Sequence, residues 1–256
     1  MRALGGAAFI GTLAATSAAA GPWAVNDGDS QIIIKYEDGA ADHGFDPAGQ
    51  LLPLPAERMD RALTLFAEYG LTDRITLQLK TDWQRGRDAF VDYEGRGPLE
   101  IGARWQAYRD DKTAVAVYAG YAFRGEGRNA GYEAPGMGDG DAEVRLLVGR
   151  SFAVPTRWAP EKMFVTAELA RRLRTGLADE TRGEITIGAE PSRNWLFLTQ
   201  FYGGVTDNDG ARWLTSESSV VRHFGPWSVQ AGWRQTLSGR ETPDSSGFVV
   251  GLWRRF

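Results

Sequence analysis

Charged residues of both signs recur at every second position of otherwise apolar segments of this chain. In residues 75–84, for example, Lys80 and Asp82 alternate with Leu79, Thr81 and Trp83. Successive side chains of a strand point to opposite faces, so the charges share one face and the apolar residues share the other. Charges on such polar faces could select a solute by its own charge, and we take eight as candidates: Lys80, Asp82, Glu100, Arg104, Glu143, Arg145, Glu168 and Arg234.

Two interpretations of these charges remain open at the level of sequence. They could line a polar pore and act on a passing solute. They could instead pair with one another and fill a narrow interior, because charges removed from water need partners. A barrel of about twelve strands lies between the filled eight-stranded barrels and the open sixteen-stranded porins. The number of strands therefore does not decide between these two interpretations.

Catalysis is not indicated by the remaining reactive residues. The two histidines, His43 and His223, fall at opposite ends of the predicted architecture, and no serine stands at strand spacing from either. A Ser–His–acid site needs those groups side by side. The chain has no cysteine, and Asp207-Asn208-Asp209-Gly210 lacks the spacing of a calcium loop, so it is interpreted as a turn. We therefore expect no enzyme, no metal and no cofactor.

Alternation with a period of two runs through the chain after residue 30, whereas helical periodicity is nearly absent. Most of the alternating segments have about 9 to 11 residues, which is the length of a tilted strand that crosses a bilayer. Tryptophan, tyrosine and phenylalanine concentrate near their ends, as in interfacial girdles. The predicted strands are 30–37, 62–69, 75–84, 98–107, 113–123, 142–151, 162–171, 183–190, 195–203, 213–223, 227–236 and 247–256.

The connections between these segments alternate in length. Odd connections, such as 38–61 and 124–141, are long and polar, and even ones, such as 70–74 and 224–226, are short; 152–161 is the exception. Outer-membrane barrels combine short periplasmic turns with longer outer loops. We therefore predict an all-β fold: a transmembrane up-and-down antiparallel β-barrel of about twelve strands, formed by residues 21–256.

Both termini carry signals of export. Residues 1–20 have a positive start, a weakly apolar centre and Ala18-Ala19-Ala20 before Gly21, which predicts a cleaved signal peptide. The last residues place Phe256, Leu252, Val250 and Phe248 at alternate positions and end on an aromatic residue, which is typical of strands that the barrel-assembly machinery recognises. Arg254 departs from that pattern, and its long side chain can reach the interface.

The hairpin Glu68-Tyr69-Gly70-Leu71-Thr72-Asp73-Arg74-Ile75-Thr76-Leu77 resembles one that recurs in outer-membrane barrels grouped with meta-pathway phenol degradation and in XagA-like proteins associated with exopolysaccharide. The start Gly21-Pro22-Trp23 is similar to that of the latter group. The resemblance covers roughly residues 65–80 and implies a barrel in the bacterial outer membrane. It transfers no catalytic motif.

Two functions follow as hypotheses. The first is a passive channel or export accessory for small hydrophobic or saccharide solutes. The second is a non-conducting surface or assembly protein whose outer loops bind a partner or exopolysaccharide; a barrel hydrolase is the weakest alternative. Outer-membrane lipid is an expected partner. Nucleic acid is not, because the net charge is −4 and no basic patch with interleaved aromatic residues occurs.

Overall fold

The structure is a computed structural model that describes residues 21–90, 92–125, 139–153 and 162–256. The predicted signal peptide, residues 1–20, lies outside the described residues. No helix among the described residues is both long and apolar enough to cross a membrane.

Thirteen strands form one antiparallel sheet, and twelve of them are long. Each long strand pairs with its neighbours in sequence, and the first strand also pairs with the last, so that the sheet closes into a barrel. The strands are β1 (Ser30–Phe45), β2 (Leu51–Thr72), β3 (Ile75–Arg87), β4 (Asp92–Arg109), β5 (Thr113–Phe123), β6 (Gly140–Ala153), β7 (Lys162–Arg174), β8 (Glu180–Ser192), β9 (Trp195–Thr206), β10 (Arg212–Phe224), β11 (Trp227–Arg240), β12 (Thr242–Pro243) and β13 (Ser246–Arg255).

The up-and-down order defines two ends of the barrel. At the turn end, β1 begins, β13 ends, and turns of two or three residues join β2 to β3, β4 to β5, β8 to β9 and β10 to β11. The opposite, loop end carries the connections from β1 to β2, β3 to β4, β5 to β6, β7 to β8, β9 to β10 and β11 to β13, whereas β6 ends and β7 begins at the turn end. At the turn between β4 and β5, the backbone amides of Lys112 and Thr113 donate to Asp110 and hold the pKa of its carboxyl below the usual range.

The twelve-stranded barrel is confirmed, but the predicted strands are too short at the loop end. The connection predicted over 38–61 is a hairpin in which β1 continues to Phe45 and β2 begins at Leu51. The connection predicted over 85–97 shrinks in the same way, since β3 ends at Arg87 and β4 begins at Asp92. These extensions stand beyond the length that a bilayer needs, so neither face is selected to be apolar and the alternation fades.

The outer surface of the barrel is apolar around its circumference. Leu77, Ile101, Val144, Leu169 and Ile185 are among many large apolar side chains that point outward and are 41–60% exposed. Aromatic side chains flank this band, with Trp105, Trp195 and Trp227 towards the turn end and Trp83 and Trp233 towards the loop end. A surface of this kind is stable only against lipid, so the barrel is a membrane-spanning one.

Candidate functional site

The interior of the barrel contains a cavity of about 660 Å³. It extends from the middle of the lumen towards the loop end, where Asp60, Arg61 and Ser245 line it. Lys80, which projects from β3 into this space, has an exposed side chain. The volume of the cavity falls in the size range of small-molecule sites.

The floor of the cavity is apolar. Ile33, Phe66, Leu198 and Trp253 line it and also belong to a cluster of apolar side chains that continues towards the turn end. Phe164, Leu196, Val221 and Trp23 complete that cluster. Apart from Trp23, which precedes β1, these residues stand at inward positions of their strands, where an outer-membrane barrel ordinarily carries polar side chains. The lumen is therefore interrupted by an apolar layer below the cavity.

The chain before β1 closes the turn end. We call residues 21–29 the N-terminal segment; Pro22 is fully buried and Ala24 is 3% exposed. The ring of Trp23 packs edge-on against Phe164 at 6.2 Å between centroids, and it also lies next to Gly149, where an added Cβ would come within 2.6 Å of the ring. Only a residue without a side chain leaves room for this approach.

Side chains of the barrel wall hold the backbone of the N-terminal segment. Arg104 Nη2 donates to the Trp23 carbonyl at 2.9 Å, and Gln106 Nε2 donates to the Pro22 carbonyl at 2.9 Å. The Val25 amide donates to Thr76 Oγ1 at 3.0 Å. Arg104 also forms an ion pair of 3.0 Å with the buried Glu68. The segment is thus fixed by specific hydrogen bonds and by packing.

One ion-pair network lines the wall on β4, β6 and β7. Arg172 reaches Glu100 at 2.7 Å and Glu143 at 2.5 Å, and Arg145 pairs with the same two carboxylates. Tyr118 Oη donates to Glu100 at 2.9 Å, and its ring lies under the Arg145 guanidinium at 4.4 Å. Shared partners satisfy several lone pairs at once, which is the condition under which buried charges are tolerated.

A second network lies across the lumen on β1, β10 and β11. Arg234 pairs with Glu37 and, at 2.7 Å, with Glu217. Lys35 reaches Glu37 at 2.8 Å and Glu217 at 3.6 Å. The cavity lies between the two networks, because members of both line it.

All eight predicted residues lie on the inner face, but they do not form one site. Glu100, Glu143 and Arg145 meet in the first network, and Arg234 belongs to the second. Arg104 holds the N-terminal segment. The other three stand apart: Asp82 accepts a hydrogen bond from Gln84, Glu168 lies opposite Glu184 in the sheet register, and Lys80 forms no ion pair with any residue that the structure describes.

Several participants were missed by the selection from sequence. Lys35, Glu37 and Glu217 occupy inward positions by the same alternation, and that signal could have included them. Trp23 could not have been found in this way, because the segment before the first strand has no periodicity. Its position depends on contacts with residues that are distant in sequence.

The histidines differ from expectation in their partners. His43 lies in β1 rather than in a loop and contacts Asp42 at 2.8 Å, whereas His223 Nδ1 contacts Ser228 Oγ at 2.8 Å. The Ser–His contact was not expected, yet Ser228 is 2% exposed and no carboxylate hydrogen-bonds His223 within the described ranges. A hydrolytic triad needs that third group and access for substrate.

The bend at Asp207 is a turn between β9 and β10, as predicted. Asn208 and Asp209 adopt positive φ angles of 61° and 57°. Arg171 donates to both carboxylate oxygens of Asp207, and this hydrogen bonding holds the pKa of the Asp207 carboxyl below its usual range. Among the residues that the structure describes, no group of three or more potential metal ligands occurs.

A closed antiparallel barrel with an apolar outer band, short turns at one end and a polar, partly filled lumen is the fold of bacterial outer-membrane barrels. Comparison with protein-family models and with curated proteins finds no match to this sequence. Solved structures are similar: an outer membrane channel of Pseudomonas putida F1 has a TM-score of 0.68 at 13% sequence identity, covering 92% of this chain and 98% of that chain.

The translocator domain of the autotransporter NalP of Neisseria meningitidis is also similar. Its TM-score is 0.51 at 11% identity, and the match covers 91% of this chain and 90% of that chain. At these identities the similarity establishes the fold, and the function has to be argued from the lumen itself.

Proposed function

We propose that this protein is a passive channel of the bacterial outer membrane for small hydrophobic solutes. Solute enters the cavity of about 660 Å³ from the loop end and reaches the apolar floor. Passage to the turn end requires the N-terminal segment to move aside, because that segment fills the lumen below the floor. The P. putida protein of the same fold is itself an outer membrane channel, which supports this class of function.

The apolar floor of the cavity determines which class of solute can pass. A saccharide that crossed the layer of Ile33, Phe66, Leu198 and Trp253 would lose hydrogen bonds to water and gain few in return. A small apolar or aromatic solute would bury its surface there at about 25 cal/mol per Å². Hydrophobic constrictions also restrict ions by dewetting. A hydrophobic solute therefore fits the lumen better than the saccharide alternative.

Planar-bilayer recordings of the refolded protein test the proposal. We expect rare, small openings for the full chain and frequent ones after deletion of residues 21–28. A small uncharged aromatic compound, added to the loop end, should reduce the current of the deletion variant at lower concentration than glucose does. Phe66→Ser should remove that difference, because it places a hydroxyl in the floor. Stronger block by glucose would contradict the hydrophobic assignment.

The non-conducting alternative is favoured by one observation, the closure of the turn end by both the floor and the N-terminal segment. The same recordings distinguish it. Absence of discrete currents from the full chain, from the deletion variant and from the deletion variant with Phe66→Ser would identify the barrel as a surface or assembly protein.

A further inference from the structure

A row of arginine and aromatic side chains crosses the outer surface of the barrel at the turn end. We call it the arginine–aromatic row. It spans β9, β10, β11 and β13 and consists of Trp195, Arg222, Phe224, Trp227, Arg254 and Phe256.

The two arginines of the row are stacked on rings. Arg222 Cζ lies 4.6 Å from the ring centroid of Trp195 and 5.5 Å from that of Phe224. Arg254 Cζ lies 4.5 Å from the centroid of Trp227 and 4.8 Å from that of Phe256. A guanidinium whose faces meet rings keeps its charge and still has N–H donors along its edge.

The charges of the row have no carboxylate partner. Neither Arg222 nor Arg254 forms an ion pair with any residue in the described ranges, and Arg254 Nε, although buried, has no hydrogen-bond acceptor there. Every arginine of the two lumen networks, by contrast, reaches at least one carboxylate. Arg222 and Arg254 therefore lie two strands apart on the outer face and are offset along the strands, because Arg222 pairs with Val229 of β11 whereas Arg254 pairs with Trp227.

The neighbours of the row determine which anion can reach it. Val220, Val229 and Leu252 follow directly towards the middle of the barrel on the three strands that carry most of the row, and they are 36%, 49% and 43% exposed. The row is thus the border of the lipid-facing band. The anionic group of a bilayer at this depth is the phosphate of a phospholipid headgroup. Arginine binds phosphate through two parallel N–H donors.

We infer that the arginine–aromatic row is a binding site for an anionic phospholipid of the leaflet at the turn end. The guanidinium groups of Arg222 and Arg254 each donate to phosphate oxygens at the headgroup level, and the rings of Trp195 and Trp227 pack beside the upper acyl chains. Arg150, stacked at 5.8 Å on Phe152 near the turn end of β6, repeats the arrangement on another part of the wall. The inference concerns the outer surface and does not depend on whether the lumen conducts.

Native mass spectrometry of the full chain tests the site. Protein released from micelles that contain equal amounts of phosphatidylglycerol and phosphatidylcholine should retain phosphatidylglycerol preferentially. The variant Arg222→Gln with Arg254→Gln should lose that preference by about 30-fold, because each arginine near an anionic membrane surface contributes a factor of about five. Retention unchanged from the wild type would overturn the inference.

Arg212 provides a matched control. It lies at the loop end of the same strand as Arg222, is exposed and stacks on no ring of a residue that the structure describes. Arg212→Gln should leave phosphatidylglycerol retention unchanged, and an equal loss in both variants would show attraction by net charge alone and overturn the site. Loss of the lipid on addition of inorganic phosphate would assign the row to free phosphate and overturn it too.

A further variant guards against misfolding of the glutamine variant. Arg222→Lys with Arg254→Lys keeps both charges but not the planar fork, so it should fold and still retain less phosphatidylglycerol than the wild type. Retention equal to that of the wild type would refute a bidentate phosphate site.

Discussion

Loosening the hydrogen bonds of the N-terminal segment is expected to open the turn end without unfolding the barrel. The perturbation is Thr76→Val combined with Gln106→Leu, two substitutions of similar volume that remove the contacts to Val25 and Pro22. Arg104 is left in place, because its loss would strand the buried Glu68.

The size of the effect follows from the contacts removed. Each neutral hydrogen bond contributes about 1 kcal/mol, so the pair stabilises the inserted segment by about 2 kcal/mol. That free energy corresponds to roughly a 30-fold change in the ratio of inserted to withdrawn segment. The contact of Trp23 with Phe164 remains, so insertion should stay the major state.

The assay uses the absence of cysteine from the chain. Ala24→Cys introduces a single thiol at a position that is 3% exposed. A water-soluble maleimide reacts with this thiol only when the segment has withdrawn. The labelling rate should therefore rise by about 30-fold when Thr76→Val and Gln106→Leu are added.

A control of identical chemistry is available elsewhere in the lumen. Thr186 and Gln200 hydrogen-bond to Glu184 and to each other, and neither hydrogen-bonds to the N-terminal segment in the part of the chain that the structure describes. Thr186→Val with Gln200→Leu should leave the labelling rate of the Ala24→Cys variant unchanged. The reasoning is refuted if both pairs raise the rate equally, or if the first pair leaves it unaltered.

Three further outcomes are expected. Gly149→Leu should also raise the labelling rate of the Ala24→Cys variant, because a side chain at position 149 collides with the ring of Trp23. An unchanged labelling rate would contradict this expectation. Lys80→Gln should increase cation over anion permeability, measured as a shift in reversal potential, since this amine faces the cavity without an ion pair in the described part of the chain. Arg172→Leu should destabilise the barrel by about 3 to 5 kcal/mol in urea unfolding, because it leaves buried carboxylates unpaired; a change below about 1 kcal/mol would argue against a structural network.

Local patterning was enough to predict the wall of the barrel. The face on which a residue lies follows from the pleat alone, and lipid on one side demands apolar residues at alternate positions. All twelve long strands and the inward placement of residues such as Lys80 and Glu100 could therefore be predicted. The loop-end extensions, such as the start of β2 at Leu51, could not, because water on both faces removes the signal.

The register of strand pairing and the closure of the sheet decided which distant residues meet. Arg234 and Glu37 are 197 residues apart and meet only because β1 pairs with β13 and closes the sheet. Arg104 and Trp23 are 81 residues apart and meet only because the N-terminal segment enters the lumen. The sequence by itself determined the number of strands, their faces and the lipid-facing band, since each is a property of neighbouring residues. Only the tertiary structure decided which charges pair, what closes the lumen and where two arginines remain without carboxylates, because those contacts join residues that the chain holds far apart.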